Sequence, residues 1–126
     1  MTNIEKLTRA IESQKPITFE YNKIGKTPGL RFGNPHALYI FSPKNPAIPK
    51  TTKLDLVQTA GVSDSKIEKP FPDFRQFNIT DLSNIEILEN ETKFEPMLEK
   101  FDVEKGTMVK MYNPESERYQ NVIAKI

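Results

Sequence analysis

Apolar positions fall in two rhythms along the chain. Near the N-terminus Ile4, Leu7 and Ile11 recur at the spacing of one helix face, predicting a helix through about Gln14. Thr2-Asn3-Ile4-Glu5 fits a capping box, in which the threonine caps the helix and the glutamate reaches back to its amide. Pro16 stops this helix, because a proline pushes the preceding residue out of the helical region. So short a helix survives only by packing on something else. From Ile17 the period drops to two. Ile17-Thr18-Phe19-Glu20-Tyr21 alternates apolar and polar, as a half-buried strand does. Ala37 to Phe41, Leu54 to Gln58, Phe74 to Ile79 and Asn84 to Leu88 predict four more strands.

Between these runs lie breakers. Gly25 and Pro28-Gly29 mark a turn over Lys23 to Gly29. Ser42 to Lys50 carries Pro43, Pro46 and Pro49 and reads as an extended loop. Gly61 to Pro72 is a second long loop, and Thr80 to Ser83 a turn. Glu89 to Gly106 is charged, with Phe94, Leu98 and Phe101 as anchors. Asn113-Pro114 reads as a helix start, and Tyr119, Val122, Ile123 and Ile126 keep helical spacing to the end. The expected fold is mainly β (α+β): a small β-barrel of about five strands with a short N-terminal helix and a C-terminal helix. An open sheet with helices packed on one face is the competing architecture. Closure is favoured because several apolar strands show no edge protection. The 126 residues suit one domain, with a core over about 4–88 and a C-terminal extension over 89–126.

Composition narrows the chemistry. With no cysteine, disulfides, thiol nucleophiles and thiolate metal sites are excluded, and a reducing compartment is favoured. No long apolar run and no leader-like N-terminus appear, so a cytoplasmic protein without a membrane partner is expected. The formal net charge is +1, but it is unevenly spread. Lys15, Lys23, Lys26, Arg31, Lys44, Lys50 and Lys53 face only Glu20 in their stretch, leaving the remainder net acidic. This gives either a positive face for phosphates or scattered lysines that keep strand edges soluble.

His36 is the only histidine, there is no Gly-x-Ser-x-Gly elbow, and no Gly-rich phosphate loop is present. A zinc site would need His36 plus carboxylates only, an uncommon donor set, and the paired carboxylates Asp64, Glu68 and Asp73 sit in a loop and read as solvated. No enzyme, no metal and no cofactor are expected. The polar residues of interest sit on loops and strand ends: Arg31, Asn34 and His36; Gln58, Thr59, Ser63, Asp64 and Ser65; and Arg75. An arginine fork and a histidine beside small hydroxyls suit a phosphate or carboxylate. The plainer alternatives are a structural hydrogen bond at a turn for His36 and a salt bridge to Asp73 or Glu68 for Arg75. Tyr39, Phe41 and Phe74 are offered either to stack bases or to fill the core.

The order of these segments resembles the WYL domain of bacteria and phages. The resemblance is carried by Lys15-Pro16-Ile17-Thr18-Phe19-Glu20-Tyr21, by Arg31 with Pro35-His36-Ala37-Leu38-Tyr39, and by Arg75-Gln76-Phe77-Asn78-Ile79-Thr80-Asp81-Leu82 followed by Ser83 to Leu88. It covers roughly Ile4 to Leu88, and the tail from Tyr112 resembles the ends of short stand-alone versions. Leu54 and Asp55 stand where the family's Trp and Tyr would fall, and Asn78 and Asp81 replace two basic residues. The resemblance implies an Sm-like or SH3-like barrel with a ligand-sensing role, for a nucleotide or single-stranded nucleic acid. It implies ligand contacts at His36 and Arg75, with Arg31, Gln58 and Ser63 nearby. The alternative function is a protein-interaction or regulatory subunit, or a phage-encoded anti-defence protein, including a sponge for small nucleotides. With no room for a further domain, the chain would act alone, as a homo-oligomer, which is the expectation, or on a partner protein.

Overall fold

In a computed structural model, residues 1–63 and 71–126 are described. Helix α1 spans Asn3–Ser13, and Thr2 and Glu5 make the capping box that the sequence predicts. Its inner face buries Leu7, Ala10 and Ile11, while Ile4 stays partly exposed. Gln14 closes the helix in the left-handed region, and its amide returns to Ala10 and Ile11.

Five strands follow: β1 Ile17–Tyr21, β2 Leu30–Phe41, β3 Thr51–Gly61, β4 Asp73–Asn78 and β5 Leu82–Ile87. They form one antiparallel sheet in the order β4-β3-β2-β1-β5. A 3-10 turn, Ile79–Asp81, joins β4 to β5 and so carries the chain from one end of that order to the other. The sheet must curl for so short a link to reach. Phe77 of β4 accordingly meets Phe19 and Tyr21 of β1 edge-on, at 5.3 and 4.8 Å between ring centroids. Those rings, α1 and the inward leucines of β2 and β3 make the main core.

The structure corrects the expectation in three places. The sheets are not closed into a barrel; the competing open sheet is what forms. Strand β2 begins at Leu30, not at Ala37, and runs through Pro35. A register shift against β3 between Pro35 and Ala37 absorbs the proline, which cannot donate to the ladder. The C-terminal helix is absent: the tail makes a 3-10 turn, Glu117–Tyr119, and then strand β8, Val122–Lys125. Strand β8 pairs with the second half of β2, which β1 does not reach. The β-branched Val122 and Ile123 suit that pairing, and tertiary contact overrides the helical spacing.

The extension after Leu88 also holds a two-stranded hairpin, β6 Glu99–Asp102 and β7 Thr107–Lys110, outside the main sheet. We refer to it as the arm. Phe94 is buried and anchors its approach, whereas Leu98 and Phe101 are half exposed. A second, smaller core of Ala37, Tyr39, Tyr112 and Tyr119 lies between the sheet and the tail. No helix among the described residues is long and apolar enough to cross a membrane.

Candidate functional site

Four of the five residues singled out from the sequence gather at one end of β2, β3 and β4. Gln58 is fully buried and pairs in register with Gly33 and Asp73. Its amide nitrogen donates to the carbonyls of Ala60 (3.1 Å) and Val62 (2.8 Å). Its amide oxygen accepts from Arg31 at 3.4 Å. Arg31, also buried, donates to the Thr27 carbonyl and lies over the rings of Tyr21 and Phe77. Arg75 donates to the Ser63 hydroxyl (2.9 Å) and forms an ion pair with Asp73 at 3.1 Å. The Asp73 partner is one that the sequence offers as the plainer reading of Arg75. Asp64, Ser65 and Glu68 lie outside the described residues.

His36 is elsewhere, at the β2 irregularity and against the tail. It is fully buried, with Phe94 stacked on the ring and Tyr112 edge-on to it. Nδ1 lies 2.7 Å from the Asn34 carbonyl, so it carries the proton. Nε2 then accepts the Met97 amide at 3.1 Å. Burial holds the imidazole below its usual pKa, outweighing the Asn34 bond. In this structure His36 is a neutral tie between sheet and tail with both nitrogens engaged.

Sequence reasoning missed a second polar centre. Asp55 on β3 is fully buried and accepts from the hydroxyls of Tyr39 (2.9 Å) and Tyr119, with Arg118 at 3.4 Å. Burial raises the pKa of the Asp55 carboxyl against the opposing pull of these three partners. Burial and the nearby carboxylate keep both phenols protonated. This cluster fastens the tail and exposes no reacting group.

An accessible cleft of about 610 Å³ lies between the start of β4 and the arm. Phe74, Val109 and Met111 give it an apolar wall, and Lys100, Lys105 and Lys110 stand around it with Asp73, Asp102 and Glu104. Two of those carboxylates are already engaged: Asp73 by Arg75, and Asp102 by the amides of Glu104 (2.9 Å) and Lys105 (3.1 Å). Lys100 spans the cleft's base to the Pro72 carbonyl at 2.7 Å. Lys105 and Lys110 are exposed and make no ion pair among the described residues. The cleft therefore offers an apolar wall, two available ammonium groups, and direct continuity with the Arg75–Ser63 group through Asp73. Its volume falls within the roughly 300–1,000 Å³ usual for small-molecule sites. The one sequence signal for the arm is Gly106, in the left-handed region at the hairpin turn between the two short strands.

Comparison with known proteins finds no match: no family model, no curated protein and no solved structure is similar to this chain.

Proposed function

We propose that this chain is a non-catalytic binding module that takes a ligand of the nucleotide class in the cleft between β4 and the arm. The observation that carries this reading is the meeting of an apolar wall with Lys105 and Lys110 in a cleft of about 610 Å³. A flat base needs apolar surface such as that of Phe74, and a phosphate needs unpaired cations at the rim. The motif series that resembles WYL domains points to the same ligand class. The site itself differs from the one the resemblance implies. His36 holds the tail in place of a ligand, while Arg75 reaches the cleft only through Asp73.

The test is titration with nucleoside mono- and diphosphates and with short single strands, at low and moderate salt. A Lys105→Glu/Lys110→Glu double variant should bind at least about tenfold more weakly, a loss of about 1.4 kcal/mol. Its melting temperature should stay close to that of the wild type, because exposed substitutions usually change stability by less than about 0.5 kcal/mol. Binding of oligonucleotides should weaken as salt rises, since each neutralised phosphate releases counterions. No binding at low salt would remove this ligand class.

A second reading, a protein-interaction subunit, has one specific observation behind it. On the arm Phe101 lies directly opposite Met108, both are more than half exposed (57% and 56%), and Met108 stands outside the cleft that Phe101 helps to line. Capture of a protein partner that persists after nuclease treatment and is lost with Met108→Ser, at a residue outside the cleft lining, would favour it.

A further inference from the structure

The cleft has one wall that belongs to the main sheet and one that does not. Strands β6 and β7 pair only with each other, and the ladder continues down the stem through Met111 N–H to Leu98 and Tyr112 N–H to Met97. Two side chains of the main body hold that stem. Gln14 exchanges hydrogen bonds with Phe94, its carbonyl taking the Phe94 amide and its side chain donating to the Phe94 carbonyl. His36 takes the Met97 amide on Nε2. Met97 and Tyr112 form the last rung before the arm leaves the body, and Tyr112 packs edge-on against the same imidazole at 4.9 Å. The imidazole therefore sits at the hinge of the arm.

We propose that His36 is a proton-sensitive latch: neutral, it holds the arm against β4 and shapes the cleft; protonated, it releases the arm. The reason is the number of acceptors at the ring. Nδ1–H is committed to the Asn34 carbonyl, so a second proton must go on Nε2, which faces the Met97 N–H. Two donors would then point at each other, and a buried unsatisfied donor is costly. The groups packed on the ring offer the new charge nothing. Phe94 is apolar. Tyr112, whose pKa burial pushes up to about 12, stays neutral, and its hydroxyl is already given to the Ile126 carbonyl. Ile126 gives its amide to the His36 carbonyl, and Lys125, paired in register with Ala37, is itself cationic. No carboxylate makes an ion pair with the ring among the described residues.

The direction with pH follows. In the closed form the imidazole titrates below its usual 6.5, and in an opened stem it returns to that value. Falling pH below 6.5 thus favours the open form, and the closed arm is complete above it. This mechanism rests on the cleft as the binding site, but its first test uses no ligand. Hydrogen-exchange protection factors of the full chain, measured from pH 7.5 to 5.0, separate the arm from the sheet. The Met97 amide, which His36 accepts, should lose at least about tenfold in protection below pH 6.5 while the amides of β2 and β3 keep theirs, a sub-global opening. His36→Gln supplies an acceptor that does not titrate and should abolish the difference. The idea is overturned if arm and sheet lose protection together, or if His36→Gln responds to pH as the wild type does. Nucleotide titration at pH 7.5 and 5.5 then tests the cleft separately. An arm that opens without loss of affinity keeps the latch and removes the cleft as the site.

Discussion

Replacing Asp55 by Ala is expected to lower folding stability by about 3–5 kcal/mol, the usual cost of breaking a buried charged cluster by removing one member. The carboxylate is wholly inside and accepts from two tyrosine hydroxyls that have no water to turn to. Tyr39 lies on β2, and Tyr119 and Arg118 lie on the tail's 3-10 turn, so one side chain holds three parts of the fold together. Losing it should also free β8 from β2, because Tyr119 enters the chain just before that strand. Urea unfolding of the wild type and Asp55→Ala at pH 7 measures the loss. A difference under about 1 kcal/mol would show that the cluster does not hold the tail, since even a single net hydrogen bond is worth that much. Asp55→Asn keeps the volume and an acceptor and should cost less. It also exposes a pH effect of known sign. Burial raises the Asp55 pKa above its usual 3.8 in the folded state, so its contribution is most favourable below 3.8 and is lost as pH rises through the raised value. The wild type should gain on Asp55→Asn as the medium is made acidic.

Gly61→Ala is expected to cost about 2–4 kcal/mol, from backbone strain and overpacking together. Gly61 ends β3 at a φ of +96°, which side chains rarely adopt. An added Cβ would sit 2.3 Å from the Leu30 carbonyl oxygen and 2.7 Å from Arg31 Cα. That same carbonyl accepts the Val62 amide, so the strand end cannot yield without losing the bond. The displaced residues include Arg31, which meets Gln58 nearby. A control at Gly25, also at positive φ but with open space around its Cβ, should cost only the strain. Thermal melting of the two variants separates contact from conformation; equal shifts would remove the contact.

Much of the main sheet was legible because each element announces itself locally. The capping box at Thr2, the breaker at Pro16 and the alternation from Ile17 all lie within a few residues of the structure they specify. Strand β2 is longer than the sequence predicts because Pro35 looks like a boundary, and only the pairing with β3 shows that a register shift absorbs it. The tail departs from its sequence pattern for a deeper reason. Tyr119, Val122 and Ile126 have helical spacing, yet what decides their structure is a carboxylate 64 residues away and an open half of β2. Barrel closure was expected from apolar strands without edge protection; the chain instead leaves its sheet open. Among candidate site residues, the structure brings Arg31, Gln58, Ser63 and Arg75 together through hydrogen bonds that span β2, β3 and β4. His36 was grouped with them by type, but it faces the tail. The arm is hidden in the sequence because its four-residue strands, Glu-Lys-Phe-Asp and Thr-Met-Val-Lys, lack apolar alternation and bury little surface for a pattern to follow.

The proposed ligand site is the cleft between β4 and the arm. Amide chemical-shift mapping during titration with a nucleoside diphosphate at low salt and pH 7.5 tests it most directly. The predicted result is a set of saturating shifts at Phe74, Lys105, Val109 and Met111. They should weaken in the Lys105→Glu/Lys110→Glu variant, with α1 and β5 unmoved. Shifts centred anywhere else on the fold, or none at millimolar ligand, would contradict it.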